Sequence, residues 1–264
     1  MRLGAISPSM AAPPRAGLSS LTPPGAVHRM RRVIYDPPLV AAVYCERPNR
    51  FTARVRVGDA VVDAHLANPG RMAELLVPGS RCYVRHRPDR IGSLQWDACL
   101  IRRGRVWVGL ESHRANDLVN EALRNQVVHS LSSYRVDRRE VPYGEGRFDF
   151  RLRHRRETGR TMLLEVKSCT LVEGRLGLFP DAPTARGERH VREATRHVQS
   201  GGAAAILFCV GRSDADAVSP NRETDPVFGR ALDDAAAAGV RLVAVRCTVT
   251  PTRMRVRGEI PVVL

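Results

Sequence analysis

The sequence predicts an α/β protein, α+β overall, in which a small β-barrel of the OB type precedes a domain with a mixed sheet flanked by helices. Two observations lead to this prediction. Residues 39–110 hold about five short, alternating apolar runs and few helical patterns, which is typical of a small barrel. After residue 147, a pair of strand patterns is followed by alternating helical segments and continuous apolar runs, which indicates a sheet covered by helices.

The barrel strands are predicted from period-two alternation. Residues 51–57 alternate cleanly, Gly58 and Asp59 suit a two-residue hairpin turn, and residues 60–66 form the returning strand. The other predicted strands are residues 39–43, 81–85, 95–101 and 105–110.

Arginines occupy most polar positions of this region. They indicate either a solvated surface or a groove that follows a phosphate backbone. Trp96 and Trp107 lie in strands so apolar that a place in the core is expected, with base stacking as the alternative. The candidate phosphate contacts of the region are Arg54, Arg56, Arg85 and, in a loop between strands, Arg71.

A helix is predicted at residues 116–126, with Asn116 as its N-cap. Leu118 and Ala122 mark its inner stripe, and Glu121 borders that stripe. Two interpretations of Glu121 stay open. It is either a surface ion-pair partner or a third acid that reaches a metal site.

Strands and helices alternate through the rest of the chain. Two helices are predicted, one from residues 184–187 to Gln199 and one from the capping pair Asp225-Pro226 to Gly239. Continuous apolar runs predict strands that are buried on both faces. The remaining segments are buried strands at 203–210 and 240–249, a polar loop at 211–221 and a last strand at 253–263.

Residues 147–153 and 161–167 are predicted to be two strands joined by a turn. Residues two apart share a face of a strand, so Phe148, Phe150 and Leu152 are expected on one face. That face would pack inward against the apolar face of the second strand. The opposite face would then carry the charged side chains of both strands.

Asp149, Glu165 and Lys167 are expected to gather on this charged face. Lys167 is the only lysine among 42 basic residues, and all the others are arginines. A lone lysine indicates a site where the wide, planar guanidinium would not fit. A codon left over by drift is the alternative, but the position of Lys167 two residues after Glu165 on an apolar strand argues against it.

Two carboxylates a few ångströms apart repel each other unless a cation lies between them. Oxygen ligands of this kind suit Mg²⁺, which binds one or two carboxylates together with waters and substrate phosphate. The prediction is therefore a Mg²⁺ ion held by Asp149 and Glu165, with Lys167 orienting a water. Glu-x-Lys alone is a weak signal, because a solvated cross-strand pair gives the same pattern.

The helix that begins near residue 184 carries two further candidates. Arg186 lies near its N-terminus and is well placed for a phosphate. His190 follows a basic loop, one element after the acidic strands. It is a second candidate contact to DNA or phosphate, with a surface or capping role as the alternative.

The formal net charge of +15 and the pI of about 10.9 favour a polyanionic partner, most often nucleic acid. A generally basic proteome is the alternative. The six cysteines are scattered and show no zinc-site spacing, which indicates a reducing cytoplasm. No apolar run has membrane-spanning length, so no membrane partner is expected, and the oligomeric state stays open.

Residues 1–32 are rich in Pro, Ala, Ser and Arg and contain no acidic residue. They lack the apolar core of a secretory signal and only faintly resemble a transit peptide. They are interpreted as a disordered tail or as upstream sequence translated from a wrongly assigned start, with Met30 as the candidate start.

Several longer motifs occur in a fixed order from about residue 39 to the C-terminus. They are PPLV (37–40), NPGRM (68–72), LVPG (76–79), ANDLVNEAL (115–123), RFDF (147–150), EVKSCTLV (165–172) and FPDAPTARG (179–187), followed by His190. Motifs of this length and order resemble the sugar fermentation stimulation protein family. The sequence departs from the family at residues 64–67, where a cysteine-containing stretch is usual.

The resemblance implies an OB-like DNA-binding barrel at residues 33–112 and a restriction-endonuclease-like domain of the Asp…Glu-x-Lys type at residues 113–264. It also implies DNA binding without marked sequence preference. By motif, Asp149, Glu165 and Lys167 take the metal and catalytic positions, and Glu121 matches the helical acid of the family. The family name reflects a proposed role in sugar, notably maltose, metabolism.

Three functions follow as alternatives. The first is a non-specific DNA-binding protein whose regulatory effect comes from occupancy. The second is a Mg²⁺-dependent nuclease that uses Asp149, Glu165 and Lys167, with Arg186 neutralising phosphate charge. The third is a metabolic or scaffold protein whose charge is compositional. DNA binding is the preferred function, because the first two alternatives share it. The acidic residues favour an active or recently active metal site, since without a cation they would weaken phosphate binding.

Overall fold

The computed structural model describes residue 1 and residues 33–92, 94–144 and 146–264 of the chain. The predicted N-terminal extension, including Met30, lies outside the described residues. Within the described ranges, no helix is both long and apolar enough to cross a membrane.

The first domain is a closed five-stranded barrel, which confirms the predicted OB-like barrel. After a short β1 (Val33–Ile34), the barrel strands are β2 (Val40–Asn49), β3 (Thr52–Val57), β4 (Ala60–His65), β5 (Arg81–His86) and β6 (Trp96–Arg103). They follow the order β4-β3-β2-β5-β6, and a parallel pairing of β4 with β6 closes the barrel. β7 (Val106–Gly109) adds to the free side of β6.

Alternation along the strands fills the barrel. In β3, Ala53 and Val55 are buried in the barrel core, whereas Arg54 is half-buried and Arg56 is exposed. The period-two pattern therefore gives the correct inner and outer faces of this strand.

The second domain is built on a seven-stranded mixed sheet. Its elements are α1 (Arg114–Arg124), a one-turn 3₁₀ helix (His129–Leu131), β8 (Tyr134–Tyr143), β9 (Gly146–His154), β10 (Thr161–Cys169), β11 (Val172–Glu173), β12 (Leu176–Phe179), α2 (Ala185–Gln199), β13 (Ala204–Val210), β14 (Ala217–Pro220), α3 (Pro226–Ala237), β15 (Arg241–Thr250) and β16 (Arg253–Ile260). The strand order is β1-β16-β15-β13-β10-β9-β8. The central strands β10, β13 and β15 are parallel, and the outer strands pair antiparallel.

Two apolar layers cover this sheet. Leu164 and Val166 of β10 pack in the layer that includes α1, whereas Leu163 packs in the layer that includes α2 and α3. Because successive residues of a strand face opposite sides, Glu165 and Lys167 lie on the same side as Leu163. The sheet therefore presents both charged side chains towards α2.

The start of α3 confirms a prediction made from the sequence. Asp225 is the N-cap, and its side chain accepts a hydrogen bond from the Phe228 backbone N–H at 2.9 Å. Pro226 follows as the first helical residue, where its missing N–H costs nothing.

Three details of the predicted elements are wrong. β8 is a strand that the apolar pattern does not predict, because this sheet-edge segment is largely polar and rich in arginine. The predicted loop at residues 211–221 contains β14, which pairs with β12 in a small three-stranded sheet with β11. Helix α1 begins at Arg114 with His113 as N-cap, so Asn116 lies inside its first turn.

Candidate active site

A cleft of about 320 Å³ lies between the two domains. β9, β10 and α2 supply one side of it, and Arg50 and residues 68–70 of the barrel supply the other. Asp149, Glu165 and Lys167 all line this cleft. The structure therefore brings together the three side chains that the sequence singles out.

Glu165 is the centre of a buried polar cluster. Its Oε1 atom lies 2.8 Å from Lys167 Nζ and also contacts His190 Nδ1. The three residues are only 4%, 8% and 5% exposed, respectively. Burial by itself raises the pKa of the Glu165 carboxyl, but the Lys167 ammonium and the His190 ring outweigh it, so the pKa lies below its usual value.

The second oxygen of Glu165 has a different environment. Oε2 is buried and has no hydrogen-bond partner among the described residues. A buried carboxylate oxygen without a partner is costly unless a ligand completes it. The cluster thus leaves one acceptor available to a cation.

Asp149 is held by two hydrogen bonds. Its Oδ1 accepts from Asn116 Nδ2 at 2.6 Å, and its Oδ2 accepts from the Val166 backbone N–H at 2.7 Å. Burial, and after it repulsion from Glu165, raises the pKa of Asp149 to about 6. The carboxyl is fixed in position, but its two hydrogen bonds and the charge of Lys167 do not outweigh burial and the repulsion from Glu165.

The strands separate at the point where the acids lie. The β9–β10 ladder ends at the pair Phe150–Leu164, and beyond it the Asp149 carboxylate takes the Val166 N–H. Phe148 consequently packs in the apolar layer of α2 and α3, whereas Phe150 and Leu152 pack in that of α1. The three residues are all buried at alternate positions of β9, as the sequence predicts, but they do not all pack in the same apolar layer.

The barrel loop at residues 68–72 contacts the second domain closely through Asp181. The Asp181 Oδ2 atom accepts a hydrogen bond from the Met72 N–H at 3.3 Å, and a Cβ added to Gly70 would lie 2.2 Å from the same oxygen. Arg47 Nη1 donates to the carbonyl oxygens of Gly70 and Arg71. A side chain at position 70 would have to displace the Asp181 carboxylate, which holds this loop through the Met72 N–H.

The predicted phosphate contacts divide into two groups. Arg186 and His190 line the cleft. Arg54, Arg56 and Arg71 do not: Arg54 pairs with Asp63 and Glu46 on the barrel, Arg56 is exposed on β3, and Arg71 lines a neighbouring pocket.

Arg85 is not a surface residue, which corrects its assignment as a phosphate contact. It is 6% exposed, and its Nη2 atom lies 2.8 Å from Asp97 Oδ2 and 2.7 Å from Glu111 Oε1. Both acceptors are themselves buried, so Arg85 is committed to an internal ion-pair network. The tryptophans Trp96 and Trp107 are partly buried against the cores, as expected.

Glu121 does not line the cleft. It lies five residues after Asn116, which is about 140° around the helix, and it is half-buried. The residue of α1 that contacts Asp149 is Asn116, whose role the sequence does not reveal. The only sequence signal for this role is an amide side chain near the start of the predicted helix, and the same signal also predicts an N-cap.

The stability of the protein is expected to depend on pH because ionisation of the buried Asp149 carboxyl is unfavourable. The raised pKa means that the folded state keeps a proton that the unfolded state has lost, so stability falls as pH rises from about 4 to about 6. Asp149→Asn removes this titration. In EDTA, the free energy of unfolding of the variant relative to wild type should shift by about 2 to 3 kcal/mol in favour of the variant between pH 4 and pH 7.

Urea unfolding at several pH values measures this shift. Asp59→Asn, at an exposed turn, is the matched control and should show no comparable shift. A constant difference between Asp149→Asn and wild type across this pH range would show that folding does not raise the pKa of the Asp149 carboxyl.

The fold and the cleft define a class of two-domain proteins, in which an OB barrel covers one side of an acidic cleft in an α/β domain. Residues 45–110 match the SfsA N-terminal OB domain, and residues 113–253 match the sugar fermentation stimulation protein RE domain. The chain belongs to the sugar fermentation stimulation protein family.

Curated relatives support this assignment over nearly their whole length. The homolog from Acetivibrio thermocellus is 42% identical over 229 residues, which cover 86% of this chain and 97% of that protein. The homolog from Desulforamulus reducens is 39% identical and covers 90% and 98%. The solved structure of Pyrococcus furiosus SfsA in complex with Ca²⁺ has the same fold, with a TM-score of 0.81, 24% identity, and coverage of 89% of this chain and 100% of that one.

Proposed function

We propose that this protein binds DNA without marked sequence preference and hydrolyses its phosphodiester bonds with the help of Mg²⁺. The observation that carries the proposal is the meeting of Asp149, Glu165 and Lys167 in one cleft between a barrel and a basic helix. The family name describes an effect on sugar metabolism. Such an effect would then follow from binding of the protein to DNA or from cleavage of the DNA by it.

The donor set of the cleft fits a hard divalent cation. Asp149 and Glu165 supply carboxylate oxygens, and Glu165 Oε2 is buried without a partner among the described residues. The part of the chain that the structure describes contains no cluster of three or more His, Cys, Asp or Glu side chains that could hold a metal. Two carboxylates suffice for Mg²⁺, which takes its other ligands from water and substrate phosphate. The Ca²⁺ named for the Pyrococcus furiosus structure is also a hard, oxygen-binding cation.

The side chains of the cleft have separable roles in this proposal. A bound divalent cation would supply Lewis-acid polarisation of the phosphate and acidify a water. Lys167, held 2.8 Å from Glu165, orients the attacking water and offsets charge that develops on the phosphate. Asn116 fixes the carboxylate of Asp149 through its 2.6 Å hydrogen bond. Arg186, exposed at the cleft, binds the phosphate backbone.

The charge of the chain supports a polyanionic substrate. Five of the 15 net positive charges belong to the acid-free residues 1–32, which contain five arginines, so ten belong to residues 33–264. The acids of the cleft would oppose phosphate binding in the absence of a cation. Their presence in an otherwise basic protein favours a metal site over binding alone.

A comparison of wild type with Asp149→Asn tests both halves of the proposal. With Mg²⁺, wild type should cleave a mixed-sequence DNA, and the variant should be slower by at least about 100-fold, since Lewis-acid stabilisation is worth several kcal/mol. In EDTA both proteins should bind the DNA, the variant at least as tightly because it has lost an acid. Wild-type binding should weaken with salt by about 0.9 log unit per log unit for each phosphate neutralised.

Metal binding has a readout that does not depend on cleavage. Mg²⁺ or Ca²⁺ should raise the melting temperature of wild type and of Asp59→Asn but not that of Asp149→Asn. Cleavage that persists in Asp149→Asn would place the active site elsewhere. DNA binding without any metal-dependent cleavage would leave the binding function and remove the enzymatic one, and binding that is insensitive to salt would contradict the electrostatic account.

A further inference from the structure

Helix α2 carries a row of exposed arginines that extends away from the cleft. Arg186, Arg189, Arg192 and Arg196 are spaced by three, three and four residues, so they lie along one side of the helix, and all four are exposed. Arg186 lines the cleft, and the other three line an open groove of about 870 Å³ next to it. We call this row the α2 arginine stripe.

The charge of the stripe is only partly compensated. Arg192 pairs with Glu188 at 2.8 Å, four residues earlier on the same helix. Arg189 and Arg196 have no carboxylate partner among the described residues. Glu193 also lines the groove, but it is 4% exposed and its carboxylate lies against the backbone of Gly144 and Gly146.

The opposite wall of the groove is formed by the β8–β9 hairpin. Tyr143 lines it with its ring held edge-on by Phe148 at 5.4 Å and by His197 at 5.3 Å between ring centroids. Gly144 adds a stretch of wall without a side chain. The groove therefore has the arginines of α2 on one side and the packed ring of Tyr143 on the other.

We propose that the α2 arginine stripe binds the phosphate backbone of nucleic acid where it leaves the cleft. The inference rests on the proposed function, because it extends the path of the same substrate. From Arg186 to Arg196 the helix rises about 15 Å, at about 1.5 Å per residue. One strand of B-form DNA presents about four phosphates over that axial length, at about 3.4 Å each.

An anionic membrane surface fits this stripe less well. Helices that lie on membranes insert large apolar side chains beside their basic residues. No exposed large hydrophobic residue of the described chain lies on α2. The stripe offers cations without apolar anchors beside them, which suits a phosphate backbone better than a bilayer.

The double variant Arg189→Ala/Arg196→Ala tests the inference. The matched control is Arg124→Ala/Arg257→Ala, which removes two exposed arginines from α1 and β16 and lowers the net charge equally. Both are compared with wild type by the salt dependence of binding to fluorescein-labelled, mixed-sequence duplex and single-stranded DNA, in EDTA. The stripe variant should bind more weakly at low salt. Its log–log salt slope should be shallower by about 1.8 for duplex or about 1.4 for single strands, whereas the control should keep a slope near that of wild type.

Each outcome decides between the proposals. Equal slopes for the stripe variant and the control, with wild type binding DNA, would overturn the inference and leave the proposed function intact. Absence of DNA binding by wild type would overturn both. If instead the stripe variant loses binding to phosphatidylserine-containing vesicles and keeps its DNA slope, the stripe serves a lipid surface. Thermal melts of both double variants should match wild type, because all four side chains are exposed.

Discussion

Replacing Lys167 with arginine is expected to lower Mg²⁺-dependent DNA cleavage by about 100-fold or more, although the positive charge is retained. The Lys167 side chain is 9% exposed and shares Glu165 Oε1 with His190. A guanidinium is wider than an ammonium and presents its donors in a planar fork, so it cannot occupy this space without displacing His190 or Glu165. Loss of position, not loss of charge, is the cause of the expected defect.

Single-turnover cleavage with saturating protein measures this prediction. Lys167→Met is the companion variant, since it keeps a slim side chain and removes the charge, and it should be equally inactive. DNA binding in EDTA should remain within about threefold of wild type for Lys167→Arg, because that variant changes no net charge. Full activity of Lys167→Arg would show that the position needs only a cation, and the solitary lysine would then be an accident of codon use.

The solitary lysine also permits an independent check of its burial. Amine-directed acetylation can modify only Lys167 and the N-terminal amine of this chain. Peptide mapping should show that Lys167 reacts much more slowly in the folded protein than in urea, since its ammonium is buried and ion-paired. Rapid reaction in the folded state would mean that the cleft is open around it.

The strands of the cleft could be predicted from sequence because their signals are local. Period-two alternation predicts β9, β10 and the neighbouring turn, and it places Glu165 and Lys167 on one face. Continuous apolar runs predict the central strands β13 and β15, and Asp225-Pro226 predicts the start of α3. In each of these segments the period or the cap is set by residues within a few positions of one another.

The misassigned residues depend on partners that are distant in sequence. The partners of Arg85 lie 12 and 26 residues away, so its sequence neighbours resemble those of a solvated arginine. Asn116 bonds to Asp149 across 33 residues, which no local cap pattern distinguishes from an N-cap. β8 is stabilised by pairing with β9 and not by an apolar run of its own. These roles become visible only when the chain is folded.

The network around Arg85 should be one of the largest single contributors to stability. Arg85→Ala is expected to lower the free energy of unfolding by about 3 kcal/mol, because it leaves buried carboxylates without one of their cations. The side chains of Asp97 and Glu111 are only 6% and 1% exposed. Arg90 remains on Asp97 and Arg114 on Glu111, so the cost should lie at the lower end for a broken buried pair.

Arg87→Ala provides the control on the same carboxylate. Arg87 lies 3.6 Å from Asp97, but its side chain is 47% exposed, and an ion pair of this kind is worth about 1 kcal/mol or less. Urea unfolding of the two variants should therefore differ by about 2 kcal/mol, with Arg85→Ala the less stable. Equal stability of the two, together with weaker DNA binding by Arg85→Ala, would restore Arg85 as a phosphate contact. The buried network predicts the reverse, because a buried arginine that is paired with two acids does not reach a phosphate outside the barrel.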